Sequence, residues 1–207
     1  MTSNPITISA DLFLPHARRM LNEYQIRHLP VVDRDRRLVG IVTDRDLRSA
    51  YPSSVISKGE KVLSFEQVEK TTVADIMTTS CSTLHPDATI DDALIIFDRD
   101  KVGGIPVVSE DDVVLGIFSL LDLTAAYRKL FGVSEEGSIL IGVEDDGRDN
   151  ILSELVTLLD NKNIPLTRLI RLADKQDATK LYLRINSPRP LEVVKLLKSK
   201  GFIMLEP

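Results

Sequence analysis

Two short stretches place a hydroxyl residue and, three positions later, a carboxylate at the end of an apolar run. They are Thr43-Asp44-Arg45-Asp46 after Leu38–Val42, and Ser119-Leu120-Leu121-Asp122 after Val113–Phe118. This spacing supports two kinds of chemistry. A Thr/Ser-x-x-Asp unit opening a helix is a capping box, in which hydroxyl and carboxylate satisfy backbone N–H groups that lack intrahelical partners. The same helix start presents free N–H groups and a positive dipole end to a phosphate. The hydroxyl adds a donor, and the carboxylate can accept both protons of a ribose cis-diol through charge-assisted bonds. Arg45 stands beside the phosphate position of the first stretch, where it either neutralises a phosphate or is solvated. Leu120 and Leu121 replace the charged pair in the second and suit helix packing, which ranks Asp122 behind Asp46 for phosphate-rich ligands.

Other chemistry finds little support. His16, His28 and His85 lack cysteines or carboxylates at ligand spacing, so no metal site is expected. Neither a Gly-x-Ser-x-Gly elbow, nor His-Glu-x-x-His, nor a phosphate-binding Walker loop occurs, and no catalytic residue is assigned. Glu144-Asp145-Asp146 runs straight into Gly147 and reads as a solvated turn. Cys81 is the only cysteine, which excludes an internal disulfide and points to a reducing compartment. A net charge of −5 argues against a nucleic-acid surface. No apolar run approaches the ~18 residues of a membrane span, and no signal segment opens the chain. A cytoplasmic protein is expected.

The elements that must position these stretches come as a repeat. Gly40 and Gly116, Asp46 and Asp122, Pro30-Val31-Val32 and Pro106-Val107-Val108, Thr7 and Thr83 are all separated by 76 residues. Met1-Thr2 falls on Met77-Thr78, so the earlier lead-in of the second copy has no counterpart in the first. Each copy reads β-α-β-β-α. In the first, a strand begins at Thr7-Ile8, Leu14, Ala17, Met20 and Leu21 form a helix face, and two strands span Leu29–Val32 and Leu38–Val42. In the second, Thr83-Leu84 is a strand, Ile90, Ala93, Leu94 and Phe97 form the face, and strands Ile105–Val108 and Val113–Phe118 lead to a helix over Leu121–Leu130. The copies occupy residues 1–50 and 73–130. A connecting insert over 51–72 holds a loop at Pro52-Ser53-Ser54 and a helix from Glu60 to Val68.

A polar break over 131–136 precedes a third unit, 137–207, in the order β-α-β-β-α-β. Its strands are Ile139–Val143, Leu166–Leu172, Lys180–Ile185 and Phe202–Leu205, with a turn over Asp174–Asp177. One helix presents Ile151, Leu152, Leu155, Leu158 and Leu159. The other starts at Pro190, presents Leu191, Val194, Leu196 and Leu197, and stops at Gly201. The fold class is α/β (α+β).

The Pro-Val-Val strands, the two Gly-h-h-Thr/Ser-x-x-Asp stretches (h is apolar) and Val73-Ala74-Asp75-Ile76-Met77-Thr78 resemble the CBS domain. Two copies in tandem resemble one Bateman module. That resemblance implies an adenine nucleotide (AMP, ADP or ATP, with S-adenosylmethionine an alternative) held by Thr43, Arg45 and Asp46 in one site and Ser119 and Asp122 in the other. It implies adenine contacts at Thr7 and Ile26–Leu29, and at Thr83 and Val102–Ile105, including Gly104 and Ile105. Arg27 and His28 would reach a phosphate across the pseudo-two-fold, while Gly103-Gly104 forms either a close backbone approach or a turn. The third unit is similar to an ACT domain, with Asp149-Asn150 standing where that family has Pro-Gly; this favours dimerisation over amino-acid binding. The domain order is similar to acetoin-utilisation AcuB-type proteins. Together these resemblances imply a non-catalytic regulatory homodimer that signals to a partner protein. A pure interaction module without a ligand is the other reading.

Overall fold

The computed structural model describes residues 1–51, 66–133, 135–173 and 179–205. The chain divides into two compact units, Met1–Leu123 and Thr124–Pro207. The division falls inside the helix that closes the second repeat, upstream of the break at 131–136.

In the first unit β1 (Thr2–Ser3) and β2 (Ile8–Ser9) lead to α1 (Leu14–Glu23), β3 (His28–Val32), β4 (Leu38–Thr43) and α2 (Asp44–Ala50). Pro15 lies in the first turn of α1, where its missing N–H costs nothing. The α1 face of Leu14, Ala17 and Leu21 is buried against Ile8, Leu29, Val31 and Val42. The second repeat supplies α3 (Ile90–Asp100), β5 (Gly104–Val108), β6 (Val114–Ser119) and α4 (Leu120–Leu130). Its first strand is shorter than the Thr83-Leu84 pattern predicts: Leu84 alone makes a parallel bridge, to Val107. In the α3 face Ala93 and Phe97 are buried, but Ile90 and Leu94 are 41% and 45% exposed.

The repeats are related by a pseudo-two-fold that the backbone obeys closely. Leu38 N donates to Asp112 O at 2.9 Å, and the equivalent Val114 N donates to Arg36 O at 3.2 Å. Arg36 and Asp112 take matching positive φ of 63° and 62°, as do Gln25 and Lys101 at 53° and 54°. Each repeat also lays its lead-in on the other's sheet. Thr2 pairs with Ile117 on β6, and Thr78 pairs with Ile41 on β4. That crossing explains the two motif glycines. A Cβ on Gly40 would fall 2.9 Å from Met77 Sδ and 2.9 Å from Thr78 O; one on Gly116 would fall 3.0 Å from Met1 Sδ and 3.1 Å from Thr2 O.

The second unit contains β7 (Ser138–Glu144), α5 (Ile151–Asp160), β8 (Leu166–Leu172), β9 (Lys180–Asn186) and α6 (Pro190–Ser199). The sheet order is β7-β9-β8, antiparallel throughout. The expected last strand contacts the free edge of β7 through a Val143–Met204 bridge, flanked by Glu144 N to Ile203 O at 2.8 Å and Leu205 N to Gly142 O at 2.9 Å. This is the ferredoxin-like layout. Ile141, Val143, Leu181, Leu183 and Ile185 bury one sheet face under Ile151, Leu155, Leu159, Val193 and Leu197. The α6 face is therefore centred on Val193 and Leu197, whereas Leu191 is 74% exposed. Asp145 is no solvated turn residue. Its side chain is wholly buried and meets Arg171 at 2.6 Å, while Oδ1 accepts from Gly147 N. Residues 66–70 are helical; the rest of the expected connecting helix, the Pro52-Ser53-Ser54 loop and the Asp174–Asp177 turn lie outside the described residues.

Candidate functional site

The Thr43 site is built where β4 runs out into α2. Thr43 stays extended (φ −118°, ψ 166°) and caps the helix. Asp46 Oδ2 accepts from Thr43 N at 2.8 Å and Thr43 Oγ1 at 2.6 Å, and Asp46 N donates back to Oγ1 at 3.3 Å. The second repeat reproduces this box. Asp122 Oδ2 accepts from Ser119 N at 2.9 Å and Ser119 Oγ at 2.7 Å. Burial acts to raise the Asp122 carboxyl, but the Ser119 hydrogen bonds and the ammonium of Met1 outweigh it and hold the group below its usual range.

The box alone is not diagnostic, because Thr72–Asp75 and Thr89–Asp92 form it too. Those aspartates are exposed, whereas Asp46 and Asp122 are half-buried. Place separates the pairs further. His28 pairs with Thr43 across β3 and β4, and Gly104 pairs with Ser119 across β5 and β6. Asp44 N donates to Arg27 O and Leu120 N to Gly103 O, each at 3.1 Å, which seats both helix starts on the strands before them.

The two clusters differ in charge and in acceptor capacity. An ionised carboxylate offers about four lone-pair positions. Asp46 uses Oδ2 for the cap, and Oδ1 accepts no hydrogen bond among the described residues. Asp122 Oδ1 lies 3.4 Å from the Met1 ammonium. The first cluster also carries Arg27, exposed, and His28, half-buried. Burial pushes the His28 pKa down, with Arg27 acting the same way and Asp44 and Asp46 opposing it. The His28 ring lies against the second repeat, where a Cβ on Gly104 would come within 2.9 Å of its Cγ and one on Gly103 within 3.1 Å of its Nε2. The glycine pair is thus a close approach.

The described contacts bring Arg27, His28, Thr43, Asp44 and Asp46 together, and likewise Gly103, Gly104, Ser119, Leu120 and Asp122. Thr7 is half-buried just before β2, and Thr83 and Arg45 are exposed; none of the three makes a side-chain hydrogen bond to either cluster among the described residues. Ile105 is fully buried, in the core with Leu84, Ala93, Phe97 and Val107. Sequence reading missed Asp44 as a neighbour of His28. The pairing of position 28 with 43 was the signal, and it needed the strand register. Among the described residues no group of histidine, cysteine and carboxylate side chains could hold a metal, and no helix is long and apolar enough to cross a membrane.

A two-sheet pair with pseudo-two-fold related capping boxes is the architecture of a CBS pair. The CBS domain family matches residues 1–53 and 73–129, and the chain belongs to that family. Among solved structures it is similar to an acetoin utilization protein (AcuB) from Vibrio cholerae, with 30% identity, a TM-score of 0.53, and coverage of 66% of this chain and 92% of that one. It is also similar to a CBS domain pair solved with 5′-methylthioadenosine and S-adenosyl-L-methionine (28% identity, TM-score 0.51, 62% of this chain and 93% of that one). CBSX2 in complex with AMP is a further neighbour (25% identity, TM-score 0.53, 63% of this chain and 93% of that one). The L-aspartate semialdehyde sulfurtransferase of Methanocaldococcus jannaschii is 30% identical over 132 residues, or 64% of this chain. The chain spans only 22% of that enzyme's length.

Proposed function

We propose that this chain is a non-catalytic regulatory protein that senses an adenine nucleotide through its CBS pair and signals by a change of arrangement in a homodimer. The observation that carries this reading is the half-buried Asp46 carboxylate, whose cap bonds among the described residues all fall on Oδ2, at a helix start flanked by Arg27 and His28. In this reading Asp46 accepts the ribose hydroxyls, Thr43 and the α2 N–H groups meet the phosphate, and Arg45, Arg27 and His28 supply positive charge. Adenine lies against Thr7 and the backbone of Ile26–Leu29. The site of Thr83, Gly104, Ile105, Ser119 and Asp122 is the weaker of the two, because Leu120 and Leu121 bring no charge and Asp122 Oδ1 is engaged.

The neighbours solved with AMP and with S-adenosyl-L-methionine support an adenosine-type ligand: AMP, ADP, ATP or S-adenosylmethionine. A ligand that favours one dimer arrangement shifts its population, and a partner protein reads the shift. The ferredoxin-like unit is assigned an ACT-like dimerisation role. Asn150 keeps a left-handed backbone (φ 70°) but brings a side chain where that family has glycine, which disfavours amino-acid binding. The cytoplasm is the proposed location.

A second reading, an interaction module with empty pockets, is favoured by the capping geometry, since Thr43 and Asp46 already satisfy each other. Calorimetric titration of wild type and Asp46→Asn with AMP, ADP and ATP separates the two. Hydrogen bonds to a charged group contribute about 1.5–3 kcal/mol each. Nucleotide affinity should therefore fall roughly ten- to a hundredfold in Asp46→Asn, while asparagine still caps the helix. Wild-type binding that Asp46→Asn leaves unchanged overturns the ribose assignment; silence in wild type favours the module.

A further inference from the structure

The capping boxes of the two sites match, but the charges beside them do not. Positions 27, 28, 44 and 45 correspond to 103, 104, 120 and 121 at the 76-residue offset. Two of the first three N–H groups at each helix start are already bonded. Asp44 N donates to Arg27 O and Asp46 N to Thr43 Oγ1, while Leu120 N donates to Gly103 O and Asp122 N to Ser119 Oγ. Helix starts so nearly satisfied attract a phosphate weakly, and side-chain charge decides what binds. At the first site Arg27 and Arg45 are exposed, and neither makes an ion pair or a side-chain hydrogen bond among the described residues. Asp44 is balanced by Arg48 at 2.6 Å. At the second site Gly103 and Leu121 replace the two arginines. Lys101, just before Gly103, is held by Asp98 at 2.7 Å, and the Met1 ammonium by Asp122 at 3.4 Å. His28 reaches Gly103 and Gly104 from the first repeat, but burial disfavours its charged form.

We infer that the two sites divide their ligands by the 5′ group: the Asp46 site takes a phosphate-bearing adenine nucleotide, and the Asp122 site takes an adenosine whose 5′ substituent carries no negative charge. Arg45 and Leu121, equivalent in the repeat, are the specificity-determining side chains. An anionic 5′ group at the second site would sit on the same ribose that Asp122 holds. It would be repelled by that carboxylate, with no arginine of its own repeat at position 103 or 121 to offset the repulsion. An uncharged 5′ group meets no such repulsion. This division rests on the nucleotide-sensing reading and adds to it the ligand class of each site.

The test is calorimetric titration of the full chain with adenosine and AMP, which differ only in the 5′-phosphate. Asp122→Asn reports mainly the first site and Asp46→Asn mainly the second, and asparagine still caps both helices. In Asp122→Asn, AMP should bind at least about tenfold more tightly than adenosine, and added salt should shrink that margin. Arg45→Leu in the same background should remove it. In Asp46→Asn, adenosine should bind at least as tightly as AMP. Leu121→Arg added to Asp46→Asn should raise the affinity for AMP by about tenfold and leave adenosine unchanged. Leu121→Gln, which removes the same apolar side chain without bringing charge, should leave the ratio of the two ligands as it was. An AMP-to-adenosine ratio that is equal in Asp46→Asn and Asp122→Asn overturns the division. So does a ratio that Leu121→Arg does not move, or an Asp46→Asn variant that binds neither ligand while wild type binds AMP. In each of those cases the nucleotide-sensing reading stands. Wild type silent toward both ligands overturns that reading and the division with it.

Discussion

The imidazole of His28 lies over the backbone of Gly104, the residue that holds His28's own place in the second repeat. The pseudo-two-fold brings equivalent positions face to face, and only one of them has room for a side chain. The site clusters of the two repeats therefore differ in charge although their capping boxes match.

Gly104→Ala should destabilise the CBS unit by about 1–3 kcal/mol, because its Cβ would press on the ring and both strands resist the shift. The same substitution in a His28→Ala background should cost much less. A urea-denaturation cycle reads the coupling directly; additive effects would show that the ring does not lie there.

His28 should also make stability depend on pH. Burial lowers its folded-state pKa below the ordinary 6.5, so the folded protein binds fewer protons than the unfolded chain just below that value. Stability should be at its fullest above about pH 6.5 and fall as the pH drops toward the folded-state value. Asp44 and Asp46 oppose the shift and Arg27 adds to it, while Gly103 and Gly104 bring no charge from the facing side. Unfolding midpoints between pH 7.5 and 5.5 should slope in wild type and flatten in His28→Asn; equal slopes would remove His28 as the cause.

In the ferredoxin-like unit, Arg171→Met should leave the buried Asp145 carboxylate without its ion-pair partner. Breaking a buried pair costs about 3–5 kcal/mol, and the half-exposed guanidinium places this one toward the lower end. Asp145→Asn combined with Arg171→Met should recover part of the loss. Chemical denaturation that finds the single and double variants equally stable would contradict the pairing.

Self-association is expected as a homodimer. The described surface carries exposed Leu121 and Tyr127 on α4 and Leu94 and Ile95 on α3, apolar positions a second copy can cover. Multi-angle light scattering at micromolar concentration should report twice the chain mass of 23.1 kDa; a single-chain mass would refute it.

The repeat was legible because it is a property of spacing. A constant separation between Gly40 and Gly116, or Asp46 and Asp122, survives in one dimension, and strand and helix periods show in the alternation of apolar residues. The capping boxes were legible for the same reason, being built within four consecutive residues. What spacing leaves undecided is which face an element shows to a neighbour far along the chain. Ile90 and Leu14 occupy the same position in the same pattern, yet one is open and the other covered, because Val73 reaches only the first repeat. Asp145 reads as a turn residue until β8 brings Arg171 to it from 26 residues away. Gly104 reads equally as a turn or a close approach until the pseudo-two-fold lays His28 on it. Sequence determined the elements, their order and their caps, since those depend on local hydrogen bonding and periodicity. Tertiary structure alone decided burial and pairing, since those depend on which surfaces meet; the difference in charge between the two sites was already legible in Leu120 and Leu121, and the fold added the Met1 ammonium beside Asp122.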